Sequence, residues 1–182
     1  MDPSRRYKLV AELDTLLLYA QLRRADSGIL PAEVLEQIAL VFGCLWAFYW
    51  VVDDEQGVLR PASHWASSTI DARELLSDTQ RRCLVMSEGN AGLVWRSRRP
   101  IWACDLPYTM CLPRSLEAVD CGLRAGVWFA VQTEDAVLGV VELLAMNLES
   151  PSDELLRCVT YFGFRLSSAV ARGARVLRRQ AN

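Results

Sequence analysis

A chain of 182 residues, 52% hydrophobic and 23% charged, has the size and balance of one domain with extensions, able to bury a sizeable core. Its formal net charge of −2 projects no strong field, so neither nucleic acid nor an anionic membrane is implied by the total. The longest mostly apolar run, Leu40 to Val52, is too short to span a bilayer as a helix, and no basic segment with an apolar stretch and cleavage site opens the chain; a cytoplasmic protein with no membrane span is expected.

Residues 5 to 24 read as a first helix, with Leu9, Leu13, Leu16, Leu17 and Ala20 at helical spacing, ended by Asp26-Ser27-Gly28. Pro31 opens a second helix carrying Val34, Leu35, Ile38, Ala39 and Val41, and Gly43 closes it. Cys44 to Val52 and Val58 to Ala66 read as strands joined by a turn at residues 53 to 57. Pro61 cannot donate to a ladder, so the second strand lies at a sheet edge or carries a bulge. A weak helix is expected around Leu75 and Leu76, another from Gly89 to Arg96, a strand from Pro100 to Cys104, and then a loop to Asp120 with one turn of helix around Leu116.

A β-hairpin follows. Val127 to Val131 and Ala136 to Leu144 are rich in β-branched and aromatic residues, and a short polar turn separates them. Val127, Phe129 and Val131 point one way and Trp128 and Ala130 the other; Val137, Val141 and Leu143 likewise oppose Leu138, Val140 and Leu144. Apolar residues on both faces mean that both are covered, which places the hairpin centrally in its sheet. Arg124 and Glu142 are the charges within it. With a three-residue turn, 133 to 135, they sit diagonally adjacent on one face, where a partly buried ion pair is expected, or a guanidinium meeting a ligand's carboxylate or phosphate.

Ser150 reads as the N-cap of a last helix, with Pro151 at its first position, and Leu155, Val159, Phe162, Leu166, Ala169 and Gly173 form its apolar stripe. Both terminal helices carry more apolar surface than one sheet face covers. A homodimer is expected, with the first and last helices forming a bundle between subunits; the alternative is that both pack on their own sheet. Six cysteines show no CxxC pair and no His/Cys cluster at metal-ligand spacing, and most are expected to be reduced core residues. His64 is the single histidine, read as a strand residue rather than a haem ligand or general base.

Gly122-Leu123-Arg124-Ala125, the apolar strand and turn after it, and Val137-Leu138-Gly139-Val140-Val141-Glu142-Leu143-Leu144 resemble the closing half of a GAF domain, a small-molecule sensor module of signalling proteins. Glu88-Gly89-Asn90-Ala91-Gly92-Leu93-Val94-Trp95, then Arg99-Pro100-Ile101-Trp102 and Asp105, is similar to that family's Gly-x-x-Gly-x-x-Trp helix start and the strand after it. The resemblance implies an α+β fold: an antiparallel sheet of five to six strands, helices on one face, and a pocket covered by loops and short helices on the other. It divides the chain into an N-terminal dimerisation helix (1–28), the GAF domain (29–172) and a basic helix end and tail (173–182).

The pocket implied by the family lies under residues 71 to 120, near Trp46, Phe48, His64, Trp65, Trp102, Tyr108, Met110, Cys111, Arg124 and Trp128. An aromatic-lined cavity with a few polar groups suits a small molecule. No ligand or cofactor is identified by the sequence. The family's cyclic-nucleotide signature is missing, and Cys111 and Cys121 lack the following histidine of bilin-binding members. Free methionine-R-sulfoxide reductases of this fold use cysteine chemistry; Cys83 and Cys111 fall near two of their three cysteine positions, whereas Ala91 and Gly126 depart from the pattern. The resemblance therefore implies a non-catalytic sensory or regulatory domain with a protein signalling partner, the alternatives being such a thiol enzyme or a ligand-free dimerisation module.

Overall fold

The computed structural model describes residues 28–106 and 115–180, together with Glu12, Thr15 and Leu16, which are helical; the side chains at 115 and 171–180 are not among those described. The expected first helix thus lies almost wholly outside the described residues. Leu16 is buried in the same core cluster as the domain's own helices and sheet.

Helix α1 (Ala32–Phe42) starts where the pattern places it. The carbonyl of Pro31, itself extended, accepts the amides of Val34 and Leu35, both at 3.1 Å. Val34, Leu35, Ile38 and Ala39 form its buried face. At the other end Cys44 N donates to Ala39 O at 2.8 Å and Gly43 N to Leu40 O at 3.1 Å. This Schellman pattern needs a residue with positive φ, and Gly43, at 68°, supplies it without a Cβ penalty.

The chain then forms β1 (Trp46–Asp53), β2 (Val58–Ala66), α2 (Arg73–Gln80), β3 (Leu84–Val85), α3 (Gly89–Ser97), β4 (Ile101–Ala103), α4 (Ser115–Asp120), β5 (Ala125–Gln132), β6 (Val137–Ala145) and α5 (Asp153–Gln180). The six strands make one antiparallel sheet in the order β3-β2-β1-β6-β5-β4. The fold is α+β. The two-sided strands β1, β6 and β5 are flanked on both sides, as their apolar content requires. Pro61 meets both expectations raised for it: the β1–β2 register slips between Tyr49 and Trp50, opposite Pro61, and only two residues of β3 lie beyond β2.

Two cores sandwich the sheet. On one face α1 and α5 pack on Ala47, Tyr49, Val127, Phe129, Val131, Val141, Leu143 and Ala145. On the other, Trp46, Phe48, Trp50, Trp128, Val140 and Leu144 meet residues of α2, α3 and α4. Helix α5 comes so close to β5 that a Cβ built on Gly163 would stand 2.0 Å from the carbonyl oxygen of Ala130.

Two local expectations are corrected. Helix α5 is capped by Ser152, not Ser150: Ser152 Oγ accepts Leu155 N at 3.2 Å and its carbonyl accepts Leu156 N at 3.1 Å. Pro151 stands before this cap rather than inside the helix, so Ser150, the residue preceding a proline, stays outside it. The hairpin turn is also tighter than three residues. Thr133 N donates to Ala136 O at 2.8 Å, and Val131 pairs with Gly139 while Gln132 pairs with Val137. One extra residue, Leu138, therefore bulges from β6. It reverses the alternation, so Val137 joins the core opposite to that of Val141 and Leu143.

Candidate functional site

Three alternate residues of β1 line the sheet face beneath α2 and α3. Trp46 stacks on Phe48, centroids 5.8 Å apart at 12°, and Phe48 meets Trp50 at 4.9 Å. Phe48 pairs with His64 across the β1–β2 ladder, and the imidazole lies 6.2 Å from both the Phe48 and Trp46 rings. Farther along the face, Glu142 of β6 is fully buried. Its two carboxylate oxygens accept the indole N–H groups of Trp46 at 3.3 Å and Trp128 at 2.9 Å. Charge-assisted bonds of this kind are what allow a carboxylate to sit among tryptophans. Sequence reasoning singled out Glu142 by its charge in an apolar strand but assigned it the wrong partner.

Arg124 is exposed and makes no ion pair with Glu142. The two-residue loop and the Leu138 bulge set Glu142 opposite Trp128, four positions along β5 from Arg124, or about 13 Å at strand rise. The expectation of diagonal adjacency fails by two residues of register. Trp102 is likewise moved: β4 pairs it with Val127, its ring lies 6.4 Å from that of Phe42, and its indole donates to Glu149 O at 3.0 Å. It belongs to the face covered by α1 and α5, as does Trp65. Tyr108, Met110 and Cys111 lie outside the described residues. The structure thus brings Trp46, Phe48, His64 and Trp128 together, and separates Trp102 and Arg124 from them.

Where this aromatic face reaches the β2 edge, a cavity of about 350 Å³ opens. Phe48 and the run from Arg60 to His64 form one wall, and Gln80 to Cys83, at the end of α2 and just after it, form the other. The bulge at Pro61 re-aims this part of β2. Each of its three arginines is anchored through Nε: Arg60 to an Asp53 carboxylate oxygen, Arg82 to Asp78 Oδ2 at 2.6 Å, and Arg81 to Ser77 O at 3.1 Å. The Arg60 guanidinium, with the Gln56 amide, holds the Asp53 carboxyl below the usual carboxylate range. Burial lowers the His64 imidazole below its ordinary value. Sequence reasoning missed Arg60, Arg81 and Arg82. The adjacent pair Arg81-Arg82 was a visible signal, but nothing in the pattern set it across from β2.

With fold and site in view, comparison with known families is decisive. A family model described as a GAF domain matches residues 29–171. The chain belongs to the GAF domain family. No curated protein sequence matches it. Among solved structures, the GAF domain of the Acinetobacter phosphoenolpyruvate-protein phosphotransferase superposes with a TM-score of 0.69 at 14% identity, over 92% of this chain and 98% of that one. The corresponding GAF domain from Coxiella burnetii gives 0.63 at 13%, over 95% and 99%. Free methionine-R-sulfoxide reductase from Neisseria meningitidis, in complex with its substrate, gives 0.65 at 14%, over 95% and 93%. At such identities the likeness is one of fold, shared by phosphotransferase domains and reductases alike.

The thiols of this GAF domain differ sharply in setting. Cys44 is buried and its pKa is pushed up to about 12 by desolvation. Cys121 is half-buried and donates to Asp71 O at 3.2 Å; burial and the acidic neighbours Asp71, Asp120 and Glu74 raise its pKa. Cys83 and Cys104 are exposed. Only Cys83 lies on the cavity wall among the described residues. No helix among the described residues is long and apolar enough to cross a membrane.

Proposed function

We propose that this GAF domain is a non-catalytic sensory or regulatory unit that binds a small molecule beside the aromatic face of its sheet. In this reading it works as a cytoplasmic homodimer and passes the bound state through its terminal helices to a protein partner. The observation that carries the reading is the cavity at the β2 edge, where half-buried His64 brings the aromatic stack of Trp46 and Phe48 to the cavity wall; its size falls at the lower end of small-molecule sites. Native mass spectrometry of the purified chain tests it. A mass excess on a dimer, lost on denaturation, is expected; a bare dimer would favour a ligand-free dimerisation module, and a bare monomer would remove the bundle as well.

A second reading has one observation in its favour. Cys83 is exposed on the cavity wall, where a thiol could attack the sulfoxide of a bound free methionine sulfoxide and a second cysteine could resolve the resulting sulfenic acid. Turnover of free methionine-R-sulfoxide with a dithiol reductant, abolished by Cys83→Ser, would establish the enzyme. No turnover would leave the sensor.

A further inference from the structure

We infer that the cavity at the β2 edge takes a compact, flat organic anion, bound through a carboxylate or phosphate to Arg60, Arg81 and Arg82 with its body against Phe48 and His64. The inference rests on the ligand-binding reading above and gives that ligand its chemistry. Three facts support it. First, the wall contains three guanidinium groups and no carboxylate, so its charge is of one sign; the acids that anchor it, Asp53 and Asp78, stand outside the lining. Second, among the described residues every side-chain hydrogen bond that these arginines make uses Nε. The paired Nη groups, the part of the fork that matches two oxygens of a carboxylate or phosphate, are left for another acceptor.

Third, the wall that carries Arg60, facing Arg81 and Arg82, is aromatic and already stacked. Phe48 and His64 lie at 23° to one another, and the buried Phe48 ring backs the half-buried imidazole, which offers a flat body a held surface with little reorganisation. The volume of about 350 Å³ sets the scale of the occupant at a small molecule rather than a peptide or other macromolecule. Arginines held in place, Arg60 and Arg82 by ion pairs and Arg81 by its bond to Ser77 O, lose little freedom when an anion arrives, which favours binding.

The chain's single histidine provides the readout. It faces Arg60 on its own strand, Arg81, Arg82 and Cys83 beyond α2, and Phe48 and Trp46 on β1. In the 182-residue chain, benzoate and phenyl phosphate are titrated while the His64 ring resonance is followed by NMR, with benzamide as the neutral control. A saturable shift is expected with at least one anion and none with benzamide. If benzoate alone binds, the physiological ligand is a carboxylate; if phenyl phosphate alone binds, it is a phosphate.

Arg81→Gln removes a charge without breaking an ion pair, and should weaken binding tenfold or more, about 1.4 kcal/mol. Arg99→Gln, outside the cavity, should leave it unchanged. No saturable shift with either anion, an equal shift with benzamide, or unchanged affinity in both Arg81→Gln and Arg82→Gln would overturn the inference. If the anions fail while native mass spectrometry still shows a retained neutral molecule, the sensor reading stands and only the anion falls.

Discussion

Trp128 and Glu142 face each other across the β5–β6 ladder, and the indole Nε1 of the first donates to Oε2 of the second at 2.9 Å. Trp46 donates to the other oxygen from β1, so one buried carboxylate ties three strands together through side chains. Replacing Trp128 with Phe keeps the ring packing and removes one donor, which should cost about 2 kcal/mol in urea denaturation. Glu142→Leu strands both indole N–H groups and should cost about 3 kcal/mol or more. Because Trp46 and Trp128 share this partner, Trp46→Phe and Trp128→Phe should be non-additive in a double-mutant cycle. Additive losses would mean that the carboxylate does not couple them.

Gly163 lies within α5, where Ala is ordinarily better by about 1 kcal/mol. Here the added methyl would stand 2.0 Å from the backbone oxygen of Ala130, and backbone cannot swing aside as a flexible side chain can. Gly163→Ala should therefore destabilise by about 2 kcal/mol net, a fall in Tm of roughly 4–8 °C for a domain of this size. A rise in Tm would show that α5 stands farther from β5 than described.

The hairpin shows where sequence ceases to be informative. Its two strands, their two-sided burial and their central place are visible in the residues, as are Pro61's bulge and Gly43's helix stop, because each depends on local chemistry. The register depends on a loop one residue shorter than expected and on one extra residue, Leu138, which resembles its neighbours in every local respect, and the Arg124–Glu142 pairing depends on that register. Trp102 was misplaced for a related reason: a three-residue strand, Ile101–Ala103, carries no alternation from which to read its face. The cavity's arginines come from two segments that meet only through the curl of the chain around α2.

Stability should fall on acidification through His64 before most carboxylates titrate. Burial lowers its folded pKa below the ordinary 6.5, so the unfolded chain binds more protons between the two values and stability rises with pH there. The contribution is lost as pH falls from about 6.5 through the folded value. His64→Gln should flatten that part of the profile, measured as the urea midpoint against pH. The fall at lower pH, where Asp53 and Asp71 lose their arginine partners, should remain. An unchanged profile near neutrality would count against a desolvated imidazole.

Thiol labelling should sort the cysteines by environment. Cys83 and Cys104, exposed, should alkylate in the native protein. Cys44, with its pKa near 12, holds a thiolate fraction of roughly one part in ten thousand at about pH 8 and should label only on unfolding. Peptide mass mapping after brief iodoacetamide treatment distinguishes them. Native labelling of Cys44 at the rate of Cys83 would contradict the packing under α1.

Helix α5 runs for 28 residues, about 42 Å at 1.5 Å per residue. It is pinned at its start by the Ser152 cap and comes close against β5 at Gly163, about 16 Å along at 1.5 Å per residue. With the first point as fulcrum and the second as the place where the sheet pushes, the far end moves about two and a half times as far as the push. Half an ångström of motion at Ala130, whose side chain lies in the core beneath the aromatic face, would become more than an ångström at Gln180. A rigid helix that lies close against a strand at one glycine and extends well past it turns a small displacement of that strand into a larger one at its own end.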